Sequence, residues 1–277
     1  MKGENATELA REIRGLLLQL SHQARTPHLG SSLSCADIVA LLFAEILRID
    51  PARPLDPDRD RFILSKGHAA TTLYAALALR GFFPLEELHR TYALPESRLP
   101  EHPSSQCVPG VETSTGSLGH GLGVGLGLAL GLRLAESPAR VFVLLSDGEC
   151  NEGSVWEAAM TAPAWSTNPL CAIIDFNGWQ ATGRSRDVLA IEPLEAKWRA
   201  FGWRTYRRDG HDIDGLRTIL SGFGADGGDN RPLAIIAETL KGRGVRFMED
   251  DNNWHYRIPT ADEVAEGRRM LGLAPVA

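Results

Sequence analysis

Apolar residues recur along the chain at two different spacings, and each spacing predicts a type of secondary structure. Near the N-terminus, apolar side chains follow helical spacing over residues 9–20, and Asn5 with Glu8 three residues later resembles a helix-capping box. The same pattern predicts a second helix that begins at Ser34 and has Asp37 in the capping-box position. The apolar residues that this second helix is expected to bury are Ile38, Leu41, Leu42 and Leu47.

Further along, short apolar runs alternate with helical patterns. The apolar runs predict strands at residues 62–64, 141–145, 170–174 and 233–237, and residues 203–206 are interpreted as a further short strand. Helical patterns cover residues 69–79, 154–164 and 213–220, and a further helical piece ends at Trp198. Continuous apolar strands are typical of a sheet covered on both faces, and their alternation with helices is typical of a parallel α/β sheet. We therefore expect a three-layer α/β fold with a mostly parallel sheet, helices on both faces, and a single domain over residues 1–277.

Composition narrows the class of protein. The chain has 277 residues, of which 43% are hydrophobic, and a formal net charge of -6. An acidic chain is a poor partner for a phosphate backbone, so we expect no binding to nucleic acid. No secretory signal opens the chain, and the most apolar stretch, residues 121–132, is shorter than the roughly 20 residues of a membrane-spanning helix. The four cysteines form no CxxC pair, so we expect a cytoplasmic protein with reduced thiols and no membrane contact.

A glycine-rich segment, GLGVGLGLALG at residues 121–131, resembles a dinucleotide-binding loop only superficially. It never fits the GxGxxG pattern, and it follows no clear strand. We interpret the segment as a helix whose small residues allow close packing, with a contact between subunits as one use of that packing.

Two of the predicted strands end in polar residues that suit a metal ion. The strand at residues 141–145 leads into Asp147 and Gly148, and the next strand leads into Asn177, about thirty residues after Asp147. In an open parallel sheet, ligands bind beyond the carboxyl ends of the strands. An isolated Asp-Gly is more often a turn, but a second polar strand end at this separation favours a site. The side chains of Asp147 and Asn177, with the carbonyl of Trp179, are predicted to bind Mg²⁺.

This pair of strand ends resembles the thiamine-diphosphate motif, GDG followed about thirty residues later by Asn, with Ser146 in place of the first Gly. Five further segments resemble the transketolase family in the family's own order, over about residues 9–259. They are TPHLGSSLS at 26–34, DRFILSKGH at 60–68, EHP at 101–103 with PGVETSTGSLG at 109–119, DGHD at 209–212, and TLKGRG at 239–244 followed by Trp254 and His255. His120 stands where the family has glutamine. The resemblance implies the thiamine-diphosphate-binding fold and two-carbon ketol transfer, with thiamine diphosphate and Mg²⁺ as cofactors.

The resemblance also implies roles for the matching residues. Four histidines would line a substrate channel near the thiazolium ring, where imidazoles hydrogen-bond sugar hydroxyls and shuttle protons: His28, His68, His102 and His255. The cofactor would be bound by Gly116, Leu118, Gly148, Glu149, Glu152 and Asn177. Of these, Glu152 resembles the glutamate that links the cofactor sites across the dimer. We expect the remaining histidines to be structural and Lys241 to be a solvated loop residue.

The family implies one component that we do not find in the sequence. Thiamine catalysis needs a carboxylate that hydrogen-bonds the aminopyrimidine ring, and transketolases carry it in a following pyrimidine-binding domain. No segment of this chain resembles that domain. We therefore expect a split enzyme in which a C-terminal transketolase subunit supplies it, with an α₂β₂ assembly and no activity for this chain alone. The expected substrates are sugars or sugar phosphates: pentose phosphates by default, with apulose phosphate and sulfonated ketoses as alternatives.

Four alternatives remain open at the level of sequence. The α subunit of a 2-oxo acid dehydrogenase uses the same cofactor and the same split, but it would lack the channel histidines His28, His68 and His102. A 1-deoxyxylulose-phosphate synthase fragment fits the PGVE…TG stretch less well. A zinc hydrolase would need a close histidine pair such as HExxH, which the sequence lacks. A non-catalytic scaffold subunit would have the same fold without activity.

Overall fold

The computed structural model describes residues 5–167, 169–224 and 229–274. The strands in these residues are β1 (Arg61–Leu64), β2 (Val141–Ser146), β3 (Leu170–Phe176), β4 (Arg204–Asp209) and β5 (Leu233–Glu238). They form one sheet in the order β1-β2-β3-β5-β4, and every neighbouring pair is parallel. Each strand that the sequence predicts is confirmed, and no end differs from the predicted one by more than three residues.

Helices connect the strands and cover the sheet. Before β2 they are α1 (Ala6–Ala24), α2 (Leu29–Ser34), α3 (Ala36–Leu41, continued by a π turn at Leu42–Ile46), α4 (Ala70–Leu79), α5 (Leu85–Thr91) and α6 (His120–Leu134). After β2 they are α7 (Gly153–Ala164), α8 (Ser185–Val188), α9 (Leu194–Ala200), α10 (Ile213–Ser221) and α11 (Ala261–Met270). Short 3-10 turns lie at Gly67–Ala69, Gly148–Asn151 and Asn252–His255.

The core has two halves, one on each face of the sheet. On one face, Phe142 and Leu144 of β2 belong to a cluster that includes buried residues of α1, α3 and α4. On the other face, Val143 and Leu145 belong to a cluster that includes residues of α6, α7 and α9. Because both faces are covered, the strand is apolar at successive positions rather than at every second one. The predicted three-layer arrangement is confirmed.

The capping prediction for α1 is half correct. The Asn5 side chain accepts a hydrogen bond from the Glu8 N–H at 2.9 Å, as an N-cap should. The Glu8 carboxylate does not reach back to Asn5 but pairs with Arg11 at 2.8 Å. A complete capping box instead opens α11, where Thr260 and Glu263 bond each other reciprocally.

The predicted start of the second helix is wrong. Ser34 ends α2, and its hydroxyl donates to Asp175 at 2.6 Å. Asp37 lies in α3, where its carboxylate binds Arg14 through two hydrogen bonds, of 2.8 and 2.7 Å, and His211 at 2.7 Å. Ser34 and Asp37 both resembled capping residues, but their side chains bind partners that are distant in sequence. The four apolar residues assigned to this helix region are buried, as predicted.

The glycine-rich segment is helical, as predicted. A Cβ at Gly125 of α6 would lie 2.5 Å from a side chain of β2, so this face of the helix packs closely on the sheet. At Gly123, Gly127 and Gly131 a Cβ would meet no atom within 4 Å. These three glycines, spaced four residues apart, form an open face of α6. Within the described residues, none of the helices combines the length and apolar character needed to cross a membrane.

Candidate active site

The carboxyl ends of β2 and β3 lie side by side, because these strands pair as far as Ser146 and Asp175. Just beyond them, Asp147 accepts hydrogen bonds from the Gly178 N–H at 3.0 Å and from the Ser185 hydroxyl at 2.6 Å. The segment that follows β3 is therefore bonded directly to the residue that follows β2. The two polar strand ends meet, as the parallel order predicts.

Two fully buried carboxylates lie at these strand ends. Burial raises the pKa of Asp147 to about 6, and the nearby carboxylate of Asp175 adds to the effect. Asp175 forms an ion pair with Lys66, which is also fully buried. In the described residues, Asp147 has no such ion pair, and its hydrogen-bond donors are neutral. A cation near Asp147 would compensate this buried negative charge.

The three groups predicted to bind a cation at this edge of the sheet all present oxygen atoms. The Asn177 side-chain oxygen accepts the N–H of Trp179 at 3.0 Å, so this amide turns toward its own loop. No group of three or more His, Cys, Asp or Glu side chains in the described part of the chain is placed to hold a metal ion. The predicted set is of another kind: one carboxylate, one amide and one backbone carbonyl. Oxygens of these types suit Mg²⁺, which takes few protein ligands and completes its shell with phosphate or water.

A cavity of about 360 Å³ opens beside these strand ends. Most of the predicted site residues line it: His28, His68, Gly116, Leu118, Gly148, Glu152, Asn177, Trp179 and His255. Residues that the sequence analysis did not select also line it: Ser31, Ser146, Asn151, Gln180, Ala181 and Thr182. A concave site in which polar groups from distant segments converge is typical of small-molecule binding.

The four predicted channel histidines form one cluster. The ring centroid of His28 lies 5.5 Å from that of His68, 5.9 Å from that of His102 and 5.0 Å from that of His255. His68 and His255 are 6.0 Å apart in the same measure. Four segments separated along the chain thus bring their imidazoles to one place, although the sequence shows only that each segment contains a histidine.

Burial keeps the imidazoles of His28, His68 and His255 neutral. It lowers the pKa of His28 to about 4, and His102 and Lys241 add to the effect. It lowers the pKa of His255 to about 3, again with help from Lys241, and it lowers the pKa of His68 well below the usual range. A neutral imidazole has one donor and one acceptor nitrogen. The cluster is therefore able to donate to and accept from hydroxyl groups at neutral pH.

Backbone geometry determines the positions of two of these rings, those of His28 and His102. His28 has a positive φ of 71°, and its N–H donates to the His255 carbonyl at 2.8 Å. Its Nδ1 is buried and has no hydrogen-bond partner among the described residues, and a carboxylate oxygen of Glu101 lies 3.5 Å away. His102 packs against Gly116, where φ is 133° and a Cβ would lie 2.9 Å from the ring. Glycine is required at this position for both reasons.

Comparison with known proteins identifies the family. The sequence model of the family described as "Transketolase, thiamine diphosphate binding domain" matches residues 5–277. The chain belongs to the transketolase family. The family and the α/β thiamine-diphosphate-binding fold predicted from the sequence are both confirmed.

Relatives of similar length are themselves subunits. An apulose-4-phosphate transketolase subunit of Phocaeicola vulgatus is 37% identical over 259 residues, which are 93% of this chain and 90% of the relative. The "6-deoxy-6-sulfo-D-fructose transketolase subunit SqwG" of a Clostridium species is 39% identical over 240 residues, covering 87% of this chain and 86% of the relative. The crystal structure of a transketolase from Campylobacter jejuni superposes with a TM-score of 0.91 at 26% identity, covering 99% of this chain but 44% of that one. These matches do not favour the 2-oxo acid dehydrogenase alternative.

Glu149 and Glu152, both assigned to the cofactor from the transketolase resemblance, occupy different positions. Glu152 is exposed and lines the cavity. Glu149 is fully buried, and its carboxylate accepts the N–H groups of Gly119 at 2.8 Å and Ser146 at 3.2 Å, together with the Ser65 hydroxyl. These three donors hold the Glu149 carboxylate away from the cavity lining, and its assignment to the cofactor stays a prediction.

Sequence reasoning missed a buried network behind the cavity. Lys66 donates to Asp175 and to the Ser31 carbonyl, the latter at 3.0 Å. The Ser34 hydroxyl donates to Asp175 at 2.6 Å, and the Asn177 amide nitrogen lies 3.4 Å from the Ser34 oxygen. The network therefore orients the Asn177 side chain. Lys66 and Ser34 stand inside the segments that resemble transketolases, but nothing in the sequence indicates that they are buried together.

The expectation that Lys241 is solvated is wrong. The residue is fully buried, its ammonium group donates to Asn252 Oδ1 at 2.6 Å, and it lies 3.3 Å from His255 Nδ1. Burial lowers its pKa to about 8, and the charge of Lys66 adds to the effect. The groups that contact its ammonium group, Asn252 and His255, come eleven and fourteen residues later in the chain, so the glycine-containing segment around Lys241 does not reveal them.

Proposed function

We propose that this chain is the diphosphate-binding subunit of a transketolase that uses thiamine diphosphate and Mg²⁺ and transfers a two-carbon ketol unit from a ketose to an aldose. The observation that carries the proposal is a single cavity lined both by three histidines of the cluster and by Gly148 and Asn177 at the strand ends, with Asp147 fully buried beside them. One end of this cavity suits a metal and a diphosphate, and the other suits sugar hydroxyls. The second half of the active site is proposed to come from a partner chain.

The metal and the diphosphate are assigned to the strand ends. Asp147 and Asn177 would hold Mg²⁺ with side-chain oxygens and Trp179 with its carbonyl. The uncompensated charge of Asp147 and the all-oxygen donor set support this assignment. Gly148 has no room for a side chain, since a Cβ would lie 2.9 Å from Gln180. Its backbone is therefore free to approach a diphosphate closely.

Three more cavity residues are assigned to the cofactor. Gly116 and Leu118 would approach it with backbone groups, and Glu152 would face it from the exposed rim. When bound, thiamine diphosphate supplies the carbanion chemistry. The chain's contribution is to bind the cofactor, to orient it and to shape the channel that leads to it. Glu149 would contribute indirectly, since its carboxylate accepts the N–H of Ser146, a residue that lines the cavity.

The histidine cluster is assigned to the sugar. Because His28, His68 and His255 are neutral, each has one donor and one acceptor nitrogen, and the hydrogen bonds and proton transfers of the sugar hydroxyls are assigned to them. Lys241 already lies against Nδ1 of His255, so this ring would reach the sugar with its other nitrogen. The unpartnered Nδ1 of His28 supports this role, since a buried polar atom without a partner is costly unless a ligand satisfies it. His102 completes the cluster from the wall beside Gly116.

The names and lengths of the relatives support the proposed partner and the proposed substrates. Two relatives that this chain nearly spans are named as transketolase subunits, and a solved transketolase is more than twice as long as the matched part. We assign to this chain a partner that carries the pyrimidine-binding domain, in an α₂β₂ assembly in the cytoplasm. The relatives' names support phosphorylated or sulfonated ketoses as donors, with an aldose as acceptor.

The test uses the chain assembled with that partner. Thiamine-diphosphate binding is titrated with and without Mg²⁺, and ketol transfer is followed with a ketose donor and an aldose acceptor. We expect Mg²⁺-dependent binding in the wild type and in His28→Ala and His102→Ala, with transfer in these variants lower by roughly 10²–10⁴-fold, the usual contribution of acid–base groups. Loss of the cofactor before loss of turnover would contradict the channel assignment. Cofactor binding without any transfer in the wild type would point to the scaffold alternative.

A further inference from the structure

Two segments that follow neighbouring strands of the sheet, β3 and β5, meet at the edge of the cavity. The first, residues 177–185, follows β3 and carries the proposed metal ligands Asn177 and Trp179. The second, residues 241–255, follows β5 and carries Lys241 and His255. Three side chains join the two segments, namely Trp179, Arg184 and Asp250, and we refer to them as the clamp.

The contacts of the clamp converge on one carboxylate. Arg184 donates to both oxygens of Asp250, at 2.7 and 2.5 Å. The Trp179 indole N–H donates to Asp250 Oδ1 at 2.8 Å, and the Arg184 guanidinium lies 3.7 Å from the centroid of the Trp179 ring. An antiparallel bridge also pairs the backbones of Trp179 and Arg184. Asp250 therefore fixes both the side chain and the loop of the residue whose carbonyl is the proposed metal ligand.

The backbone of Asp250 connects the clamp to the other half of the site. Asp250 has a positive φ of 58°, and its N–H donates to the Lys241 carbonyl at 2.9 Å. Two residues later, Asn252 accepts the Lys241 ammonium at 2.6 Å and donates to the Ala181 carbonyl at 3.1 Å. Lys241 in turn lies beside His255. A continuous chain of contacts thus runs from the proposed metal loop to the histidine cluster.

We infer that Asp250 is a positioning residue that holds the proposed metal loop in its binding geometry and couples it to the segment of Lys241 and His255. The inference rests on the proposed function. Exposed ion pairs usually contribute little to global stability, and the side chains of Arg184 and Asp250 are 33% and 48% exposed. The Arg184–Asp250 pair also accepts the indole N–H of Trp179, a proposed ligand residue. We therefore attribute to this pair the geometry of the loop rather than the stability of the fold.

The test is the Mg²⁺ affinity of the assembled complex at saturating thiamine diphosphate, measured by titration calorimetry. Asp250→Asn keeps the size of the side chain and removes its charge, so the charge-assisted bonds to Arg184 are lost. We expect its apparent Mg²⁺ dissociation constant to rise at least about tenfold, with an unchanged melting temperature. Arg184→Gln should have the same effect, and the double variant should be no worse than either single variant, because both remove one interaction.

A matched pair elsewhere serves as the control. Arg98 donates to both oxygens of Glu87, at 2.5 and 2.8 Å, and this pair is also partly exposed. Glu87→Gln should leave the Mg²⁺ affinity unchanged. If Asp250→Asn fails to fold, Arg184→Gln tests the same contact from the other side. Equal Mg²⁺ affinity in the wild type and in a folded clamp variant overturns this inference alone, whereas a wild-type complex that binds no thiamine diphosphate overturns the proposed function as well.

Discussion

At the scale of single residues, the charge of Asp147 has the largest consequence. The side chain is fully buried and accepts hydrogen bonds only from neutral donors, among them Gly178 and Ser185. Replacing Asp147 by Ala removes the proposed charged metal ligand, so we expect thiamine-diphosphate affinity of the assembled complex to fall at least tenfold, or about 1.4 kcal/mol. Equilibrium dialysis measures it. Asp214→Ala, whose side chain is 89% exposed, is the control, and unchanged affinity in Asp147→Ala would falsify the metal assignment.

The neutral histidines predict an acid-sensitive fold. Burial lowers the pKa of His28 to about 4 and that of His255 to about 3, so between these values and about 6.5 the unfolded chain binds more protons than the folded one. The stability associated with these groups is complete above pH 6.5 and is lost as the pH falls toward 4. Each histidine contributes a slope of at most about 1.4 kcal/mol per pH unit. Urea unfolding at a series of pH values should show a shallower acid decline for His255→Gln, and an identical decline would contradict the assignment.

At the scale of secondary-structure elements, α6 allows a paired test. Gly127→Ala adds a methyl group in open space and removes a flexible residue, so we expect the chain to gain about 0.5–1 kcal/mol of stability. Gly125→Ala places the methyl group 2.5 Å from a side chain of β2, so we expect a loss of about 1–3 kcal/mol. Denaturant unfolding of the isolated chain measures both. If the open glycine face packs in the assembly, as the small residues suggest, Gly127→Ala will also weaken the association between chains.

At the scale of the whole molecule, the isolated chain should be inactive. The proposed site contains groups for the metal, the diphosphate and one wall of the substrate channel, but no segment resembles the domain that carries the pyrimidine-activating glutamate. Without that proton relay, the rate should be lower by at least roughly 10²–10⁴-fold, and cofactor affinity should be weak. A donor–acceptor assay on the purified chain, and then on its mixture with the partner, tests this. Full activity of the chain alone, with no co-purified protein, would show that our account of the missing half is wrong.

The pattern of apolar and polar residues along the sequence was sufficient to predict the features that depend on residues close together in the chain. Continuous apolar runs predicted β1, β2, β3 and β5, because a strand covered on both faces is apolar at successive positions. The polar residues after two of those runs, Asp147 and Asn177, were predicted to meet, since the carboxyl ends of parallel strands share one edge of the sheet. Segments of matching residues pointed to the transketolase family, which the family comparison confirms.

Features that depend on contacts between distant segments emerged only from the folded chain. Ser34 and Asp37 resembled helix caps, but they bind Asp175, Arg14 and His211 across the fold. Lys241 stands in a polar, glycine-containing segment, yet its side chain is fully buried against Asn252 and His255. The physical reason is the same in each case. Periodicity records which face of an element avoids water, whereas the partner of a polar side chain is determined by how the crossovers bring separate elements together.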